Sequence, residues 1–175
     1  MRLERHYSNP ASLIPLDVAA IDAATKTIDI AAYCMVEPNI IGALVAAAQR
    51  GVQLRLYLDR TELESEAHGD AAVTKSPLHA LAIDNLISIR VKQSSVLMHL
   101  KSYLIDGSLL RDGSANFSTQ GETNQDNDLQ FTDDPAAIAA FQAKFEQMWA
   151  REDNLSIAAA VARPAVQVTT YRKRR

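Results

Sequence analysis

The sequence predicts an α/β fold with a mixed central β-sheet flanked by helices, and three observations support this. Short β-rich apolar runs alternate with alanine-rich segments of helical length. Twice, a strand pattern, a helix pattern and another strand pattern follow one another, as in parallel strands joined by a crossover. Between residues 96 and 118 two short strand patterns surround Asp106-Gly107, a dipeptide that favours an antiparallel hairpin. The sheet should therefore contain both parallel and antiparallel neighbours.

The first half of the chain supplies the parallel strands. Apolar residues at helical spacing predict a helix over residues 16–26, and a β-rich apolar run predicts a core strand over 27–35. Pro38 opens a second helical pattern, which ends at Gly51. A strand with leucines on one face follows at 52–59. This order predicts two parallel strands that lie side by side.

The second half continues the alternation. The charged residues 59–75 predict a solvated connection with one helical turn, and Ser76-Pro77 begins a short helix that is followed by a strand at 88–92. Beyond the hairpin, 128–131 reads as a weak last strand and 135–153 as an amphipathic helix. The apolar side chains of this helix that we expect to face the core are Ile138, Phe141, Phe145, Met148 and Trp149.

Length and charge define the organisation of the chain and exclude several classes of protein. The 175 residues suit one domain, which we assign to residues 1–162, followed by a basic, flexible tail at 163–175. The tail is either a solvated end or an arm that attracts phosphate. A net charge of −3 restricts any binding of nucleic acid to local patches. A single cysteine, Cys34, excludes an internal disulfide and is expected to be a small buried apolar residue.

The chain has no apolar stretch long enough to span a bilayer, so we expect no integral membrane association. Its first ten residues lack the apolar segment of a secretory signal. The chain as given is therefore expected in the cytoplasm, or in the periplasm or outside the cell if a leader has been removed.

One constellation concentrates polar groups that can act on a phosphodiester. His99 and Lys101 are two residues apart, so on a strand their side chains project to the same side. A turn at Asp106 would return the chain and bring Ser114 and Asn116 to the same end of the sheet. Lysine can neutralise phosphate, serine and asparagine can donate to its oxygens, and neutral imidazole can attack phosphorus, with no metal or cofactor.

Such chemistry needs two histidines, because one must attack while the other protonates the leaving oxygen. An unperturbed pKa of about 6.5 allows histidine to take either role. The remaining histidines of the chain lack neighbouring Lys, Ser and Asn residues: His6, His68 and His79. A symmetric homodimer would supply the second copy of His99.

The segments HLKSYLID (99–106) and GSANFS (113–118) resemble the HxKxxxxD and GSxN signature of the phospholipase D superfamily. Residues 27–60 are similar to the region before this signature in members with a single motif, so the resemblance covers about residues 16–150. A short chain with one motif most resembles the bacterial Nuc-type endonucleases and their mitochondrial Zucchini-like relatives. The resemblance implies a phospholipase D-like α/β sandwich and a homodimer whose catalytic groups meet at the two-fold axis.

The resemblance also implies a role for each signature residue. His99 of one subunit would form a covalent phosphohistidine, and His99 of the other would protonate the leaving oxygen and later activate water. Lys101 and Asn116 would hold the non-bridging oxygens with help from Ser114, while Asp106 would orient or support the motif.

The family commonly places a glutamate that orients the histidine a few residues after GSxN. Asp126 matches that position best, and Glu122 and Asp128 compete with it. Asp112 is unusual because the family tends to have a small or apolar residue there, and a carboxylate so near the motif could raise the pKa of the histidine.

Three functions remain open at this point. The first is a metal-independent endonuclease that acts on DNA or RNA, with single strands favoured. It should have no sequence preference, because no base-reading module is recognisable. The second is a phospholipase D-type phospholipid hydrolase, which should carry an apolar interfacial helix or loop, and none is recognisable in the sequence. The third is a catalytically silent module that binds nucleic acid or phospholipid.

Overall fold

The computed structural model describes residues 3–66, 87–94 and 96–161, which include a seven-stranded sheet in the order β1-β7-β6-β5-β2-β3-β4. The strands are β1 Leu3–Tyr7, β2 Thr27–Ala32, β3 Gln53–Leu58, β4 Ile87–Val91, β5 Lys101–Ile105, β6 Leu109–Gly113 and β7 Asp128–Thr132. The helices are α1 Ile14–Asp22, α2 Pro38–Gln49, α3 Arg60–Glu66, α4 Pro135–Trp149 and α5 Ile157–Val161, with a π-helical turn at Gln120–Asn124.

The sheet is mixed, as predicted. Strands β2, β3 and β4 are parallel neighbours, so the parallel pairing inferred from the sequence is confirmed. Strand β5 pairs antiparallel with both β2 and β6, and β7 pairs antiparallel with β6 and β1. Asp106 and Gly107 form the β5–β6 turn with positive φ angles of 51° and 65°, a conformation that Asp-Gly accommodates readily.

The structure corrects several boundaries. Helix α1 starts and ends earlier than the predicted 16–26, and the strand predicted over 27–35 ends at Ala32. Strand β1 and the π-helical turn were not predicted. Strand β1 gave no strand pattern because it is a mostly exposed edge strand without an apolar face. The helix predicted to begin at Ser76 and the basic tail lie outside the described residues, as does most of the charged connection.

Local sequence explains where the two longest helices begin. Glu37 precedes Pro38 and accepts a hydrogen bond from the Asn39 amide, and Asp134 precedes Pro135 and accepts one from the Ala137 amide. A carboxylate cap followed by proline satisfies or removes the free N–H groups of a first helical turn. Both helix starts therefore agree with what the sequence alone predicts.

Two apolar layers enclose the sheet. On one face, α1 and α2 pack against alternate side chains of the central strands, including Ile28, Ile30, Leu54 and Leu56. On the other face, α4 packs through Phe145 and Met148. Of the α4 residues expected to face the core, these two are buried, and the other three are partly buried: Ile138, Phe141 and Trp149. Cys34 is buried, as predicted.

Two opposite edges of the sheet matter for the site. Because β5 runs antiparallel to β2 and β6, its first residue Lys101 lies beside Ala32 at the end of β2 and near Gly113 at the end of β6. We call this the front edge. The opposite, back edge carries Thr27, at the start of β2, and the Asp106 turn.

Candidate active site

His99 and Lys101 meet at the front edge of the sheet. His99 is exposed and lies just before β5, while Lys101 is the buried first residue of that strand. The Lys101 Nζ atom lies 2.9 Å from His99 Nδ1 and donates to the His99 carbonyl oxygen at 2.8 Å. Imidazole and ammonium therefore converge, as the two-residue spacing predicted, although His99 lies outside the regular strand.

Tyr33, which follows β2, completes the surroundings of this pair. Its ring centroid is 4.5 Å from that of His99, and Lys101 Nζ lies 5.1 Å from the same centroid. The Tyr33 amide donates to the Leu100 carbonyl at 2.9 Å, which fixes the tyrosine backbone against the motif. Burial and the neighbouring Glu62 carboxylate raise the pKa of the Tyr33 phenol. The sequence analysis missed Tyr33 because it reads as part of an apolar strand.

The same burial acts on the lysine. Desolvation lowers the pKa of Lys101, and the neighbouring Cys34 and Glu62 oppose that shift. A partly desolvated ammonium has lost part of its hydration and interacts strongly with an anion that enters the site.

The GSxN segment follows β6 at the same edge. Gly113 has φ +143°, and a Cβ atom there would lie 2.3 Å from the Asp128 carbonyl oxygen, so the position requires glycine. The exposed Ser114 pairs with Asp128 in both directions: its amide donates to Asp128 Oδ1 at 3.0 Å, and its hydroxyl accepts from the Asp128 amide at 2.9 Å. Ser114 is thus held by the start of β7.

Asn116 and Phe117 are held from behind. Phe117 is fully buried, and its carbonyl accepts hydrogen bonds from the Val36 and Glu37 amides. A Cβ atom on Gly121 would lie 2.5 Å from the Asn116 carbonyl oxygen, so glycine allows the π-helical turn to approach this closely. Within the described residues, Asn116 Oδ1 is buried without a hydrogen-bond partner, an arrangement that is costly unless another group completes it.

A buried ionic cluster that the sequence analysis did not identify lies behind these residues. Arg111 is fully buried in β6, and its guanidinium forms an ion pair with Asp17 of α1 at 3.0 Å and donates a hydrogen bond to Glu122 Oε1 at 2.9 Å. The signal that could have revealed it is an arginine inside an apolar strand, because a buried arginine needs a carboxylate partner.

The sequence analysis offered three carboxylates as groups that could orient His99. None of the three has His99 as a described hydrogen-bond partner. Asp126 is exposed and accepts from Asn9 Nδ2 at 3.1 Å, although it lines the same cavity of about 380 Å³ as Ser114. Asp128 pairs with Ser114, whose hydrogen bonds lower its pKa, and Glu122 pairs with Arg111. Burial and the Asp17 carboxylate raise the pKa of Glu122 to about 8.

The two remaining acidic residues of the motif region lie apart from the histidine contacts. Asp112 is opposite Gln130 of β7, and burial raises its pKa. Asp106 lies at the back edge, about 17 Å from Lys101 at roughly 3.3 Å per strand residue. Its carboxylate accepts four hydrogen bonds of 2.7–2.9 Å from the backbone and hydroxyl groups of residues 25–27. The structure thus brings together His99, Lys101, Ser114 and Asn116, and places Asp106 elsewhere.

An exposed imidazole, a desolvated ammonium, and hydroxyl and amide groups at one sheet edge define a site suited to binding and attacking a phosphodiester. The family model described as "Cardiolipin synthase, PLD-like domain" matches residues 18–149. The chain therefore belongs to the phospholipase D superfamily of phosphodiesterases, and the resemblance drawn from the sequence is confirmed.

Solved and curated relatives agree with this assignment. The crystal structure of Nuc, a phospholipase D family member from Salmonella typhimurium, is similar with a TM-score of 0.73 and 26% identity, covering 88% of this chain and 97% of that one. A mitochondrial cardiolipin hydrolase of Chlamydomonas reinhardtii is 24% identical over 143 residues, 82% of this chain and 60% of the relative. A phospholipase D of Rickettsia conorii is 28% identical over 137 residues, 78% and 64% respectively. The chain thus spans about three fifths of the length of these curated relatives.

No helix among residues 3–66, 87–94 and 96–161 is long and apolar enough to cross a membrane. No group of three or more potential metal-ligating side chains occurs in these same ranges.

Proposed function

We propose that this phospholipase D-superfamily phosphodiesterase is an endonuclease that cleaves DNA or RNA, with single strands preferred, in a homodimer with one composite active site. The observation that carries the proposal is the contact of 2.9 Å between Lys101 Nζ and His99 Nδ1 at the edge that also presents Ser114 and Asn116. The similarity to Nuc, which covers almost the whole of that chain, supports a nuclease over the alternatives.

In the first step, a ring nitrogen of His99 attacks phosphorus and forms an N–P bond while the bond from phosphorus to the leaving oxygen breaks. The second subunit's His99, protonated, transfers its proton to that oxygen, so the leaving group departs as an alcohol. In the second step, the same histidine takes a proton from water, whose oxygen attacks phosphorus. The N–P bond breaks, and the phosphate product leaves with both histidines restored.

Lys101 and Asn116 hold the non-bridging oxygens in this scheme. The buried Lys101 gains more from an anion than a solvated lysine does, because it has already lost hydration. Asn116, whose side-chain oxygen is buried without a described partner, contributes its amide group, and Ser114 supports the loop through Asp128. Asp106 supports the motif from the back edge, and Asp126 is the acidic residue we assign to the rim of the site.

A phospholipid diester is the second candidate substrate. Val96 and Leu97 are 71% and 50% exposed and lie within three residues of His99. An exposed apolar pair beside a phosphodiester site suits contact with acyl chains at a lipid surface. The similarity to the cardiolipin hydrolase and phospholipase D relatives points the same way.

The deciding experiment measures cleavage of fluorescent single- and double-stranded DNA and RNA, and of cardiolipin vesicles, in excess EDTA. The proteins compared are wild type, His99→Ala and a matched control, His6→Ala, whose histidine lies in β1. We expect wild type and His6→Ala to cleave single strands and His99→Ala not to cleave them. A further variant, V96S/L97S, tests the phospholipid alternative. If wild type hydrolyses only cardiolipin, and V96S/L97S hydrolyses it more slowly, the protein is a phospholipase and not a nuclease. If wild type turns over none of these substrates, the remaining function is the catalytically silent binding module.

The composite site has its own test. When tagged wild-type and His99→Ala subunits are co-expressed, the purified heterodimer contains one copy of His99 and should be inactive at either step. Activity of about half the wild-type value in that heterodimer would mean that each subunit works alone.

A further inference from the structure

Arg111 connects the two halves of the site through their backbones. Its Nη1 group donates to the Lys101 carbonyl at 2.6 Å and to the Ala115 carbonyl at 3.2 Å. Lys101 begins the strand that follows His99, and Ala115 lies between Ser114 and Asn116. The planar Arg111 guanidinium therefore fixes the distance between the Lys101 backbone and the loop that carries Ser114 and Asn116.

Carboxylates in turn fix the guanidinium on its other sides. Asp17 accepts from Arg111 Nε at 3.1 Å and from Nη2 at 3.0 Å, and Nη2 also donates to Glu122 Oε1 at 2.9 Å. Tyr103, which lies opposite Arg111 in β5, donates its hydroxyl to Asp17 at 2.7 Å. The Phe117 ring lies 4.5 Å from the guanidinium carbon. The arginine therefore has one orientation available to it.

We propose that Arg111, held by Asp17 and Glu122, is a positioning residue that sets the geometry of Lys101 relative to Asn116 in the reaction proposed above. The inference rests on that proposed function for its kinetic consequence, and on the two carbonyl contacts for its geometry. The guanidinium touches no part of the reacting groups itself, so its effect passes through the backbone of the two segments.

Stability alone does not account for such a cluster. Burying an ion pair costs several kcal/mol per ion, so well-packed apolar residues are often as stabilising. Only arginine offers five donors in a fixed plane, and all three of its nitrogen atoms have described acceptors here. A lysine could replace the charge but could not bridge two carbonyls and two carboxylates at once.

The charge balance of the cluster is consistent with this role. With Glu122 protonated at neutral pH, Arg111 and Asp17 form a neutral pair. Glu37 also lies near Glu122, and its negative charge favours the neutral form of Glu122. A cluster without net charge can stay dry beneath the site and rigid around its one planar donor.

The test uses the full-length dimer and the double variant R111Q/D17N, which removes both members of the neutral pair and leaves no single buried charge. Its kinetics on bis(p-nitrophenyl) phosphate and single-stranded DNA are compared with wild type, together with melting temperature and oligomeric state. We expect kcat to fall about 10- to 100-fold, as misplacement by about 1 Å can produce, while KM changes less than about threefold.

A matched control is the pair R55Q/D29N. Arg55 also bridges two carboxylates, Asp29 at 2.7 Å and Glu146 at 2.6 Å, but contacts neither half of the site. We expect this control to lose stability and keep the wild-type kcat, since a general loss of stability should not change turnover of the folded dimer.

Crystal structures of wild type and R111Q/D17N provide a readout that does not depend on activity. The separation of the Lys101 and Ala115 carbonyls should grow by about 1 Å, because the donor between them is gone. A folded double variant with unchanged carbonyl separation, or with kcat within twofold of an active wild type, would overturn the inference. If wild type cleaves no phosphodiester, the proposed function fails, and the crystallographic comparison still decides the positioning role.

Discussion

The two ends of β5 carry signature residues of very different physical character. At the front edge, His99 is exposed and Lys101 is buried with a lowered pKa, and the Lys101 Nζ atom lies 2.9 Å from His99 Nδ1. At the back edge, the Asp106 carboxylate is saturated by four hydrogen bonds from residues 25–27, which lower its pKa to about 2 against the effect of burial. A single sequence motif thus contains one end to which we assign chemistry in the proposed function and one end whose carboxylate is used within the fold.

The difference teaches that membership of a motif does not define a role in chemistry. A group that reacts with substrate must keep an unsatisfied or exposed atom, whereas a group that fixes a turn uses all of its acceptors within the protein. Substitutions at the two ends should therefore separate into losses of activity and losses of stability.

The largest effect is expected from His99→Ala. Removing the proposed nucleophile should reduce kcat by at least about 10³-fold, while the melting temperature stays within about 2 °C of wild type because the side chain is exposed. Rate measurements in EDTA and a thermal melt check both parts. A variant that retains a tenth of the activity would remove His99 from the mechanism.

Lys101→Met should follow, with a fall in kcat of about 10²-fold because the charge that holds the non-bridging oxygens is lost. The matched control is Lys144→Met, whose lysine is exposed on α4 and donates to Gln147. Steady-state kinetics with both variants decide the point. Equal activity of the two would show that the buried ammonium takes no part in turnover.

At the back edge, Asp106→Ala should lower the free energy of unfolding by about 1–3 kcal/mol, because charged hydrogen bonds to three residues are lost. The folded variant should keep kcat within about threefold of wild type. Since the pKa of Asp106 is lowered to about 2 from 3.8, its stabilisation is present above pH 3.8 and is lost as pH falls toward 2. Urea unfolding at pH 7 and pH 2.5 measures this, and a kcat loss comparable to that of Lys101→Met would contradict a structural role.

Glu122→Gln is expected to have the smallest effect on turnover, and its effect appears as a change in how stability depends on pH. The pKa of Glu122 rises from 4.5 to about 8 on folding, so the native state retains a proton that the unfolded chain releases. Wild-type stability should therefore decline as pH rises from about 4.5 to 8 and level off above that, by the linkage of proton binding to folding. Glutamine mimics the protonated acid, so the variant should lack this part of the decline. Parallel melting curves of the two proteins across this range would contradict a protonated Glu122.

The extent to which sequence predicted the molecule depends on how local each signal is. The helix starts at Pro38 and Pro135, the Asp106-Gly107 turn and the parallel β2–β3 pair follow from neighbouring residues, and the structure contains them. Edge strand β1 lacked an apolar pattern because it is exposed, and the sequence therefore did not reveal it.

The contacts of the site also divide into those that local sequence predicts and those that it does not. The HxK spacing is enough to bring His99 and Lys101 together, because two residues cover little distance in any extended backbone. The partners of Asp126, Asp128 and Glu122 could not be predicted, since three acidic residues within seven positions can point to different neighbours. The structure gives them Asn9, Ser114 and Arg111 respectively.

By itself, the sequence determined the fold class, the front-edge residues and membership of the phospholipase D superfamily, because periodicity and motif spacing are properties of short segments. Only the tertiary structure decided that residues 25–27 saturate the Asp106 carboxylate and that Arg111 joins Lys101 to Ala115. Arg111 and Asp17 are 94 residues apart along the chain, and their pairing depends on how α1 packs across the sheet. Burial makes that contact essential, because a desolvated guanidinium is stable only where folding supplies a carboxylate.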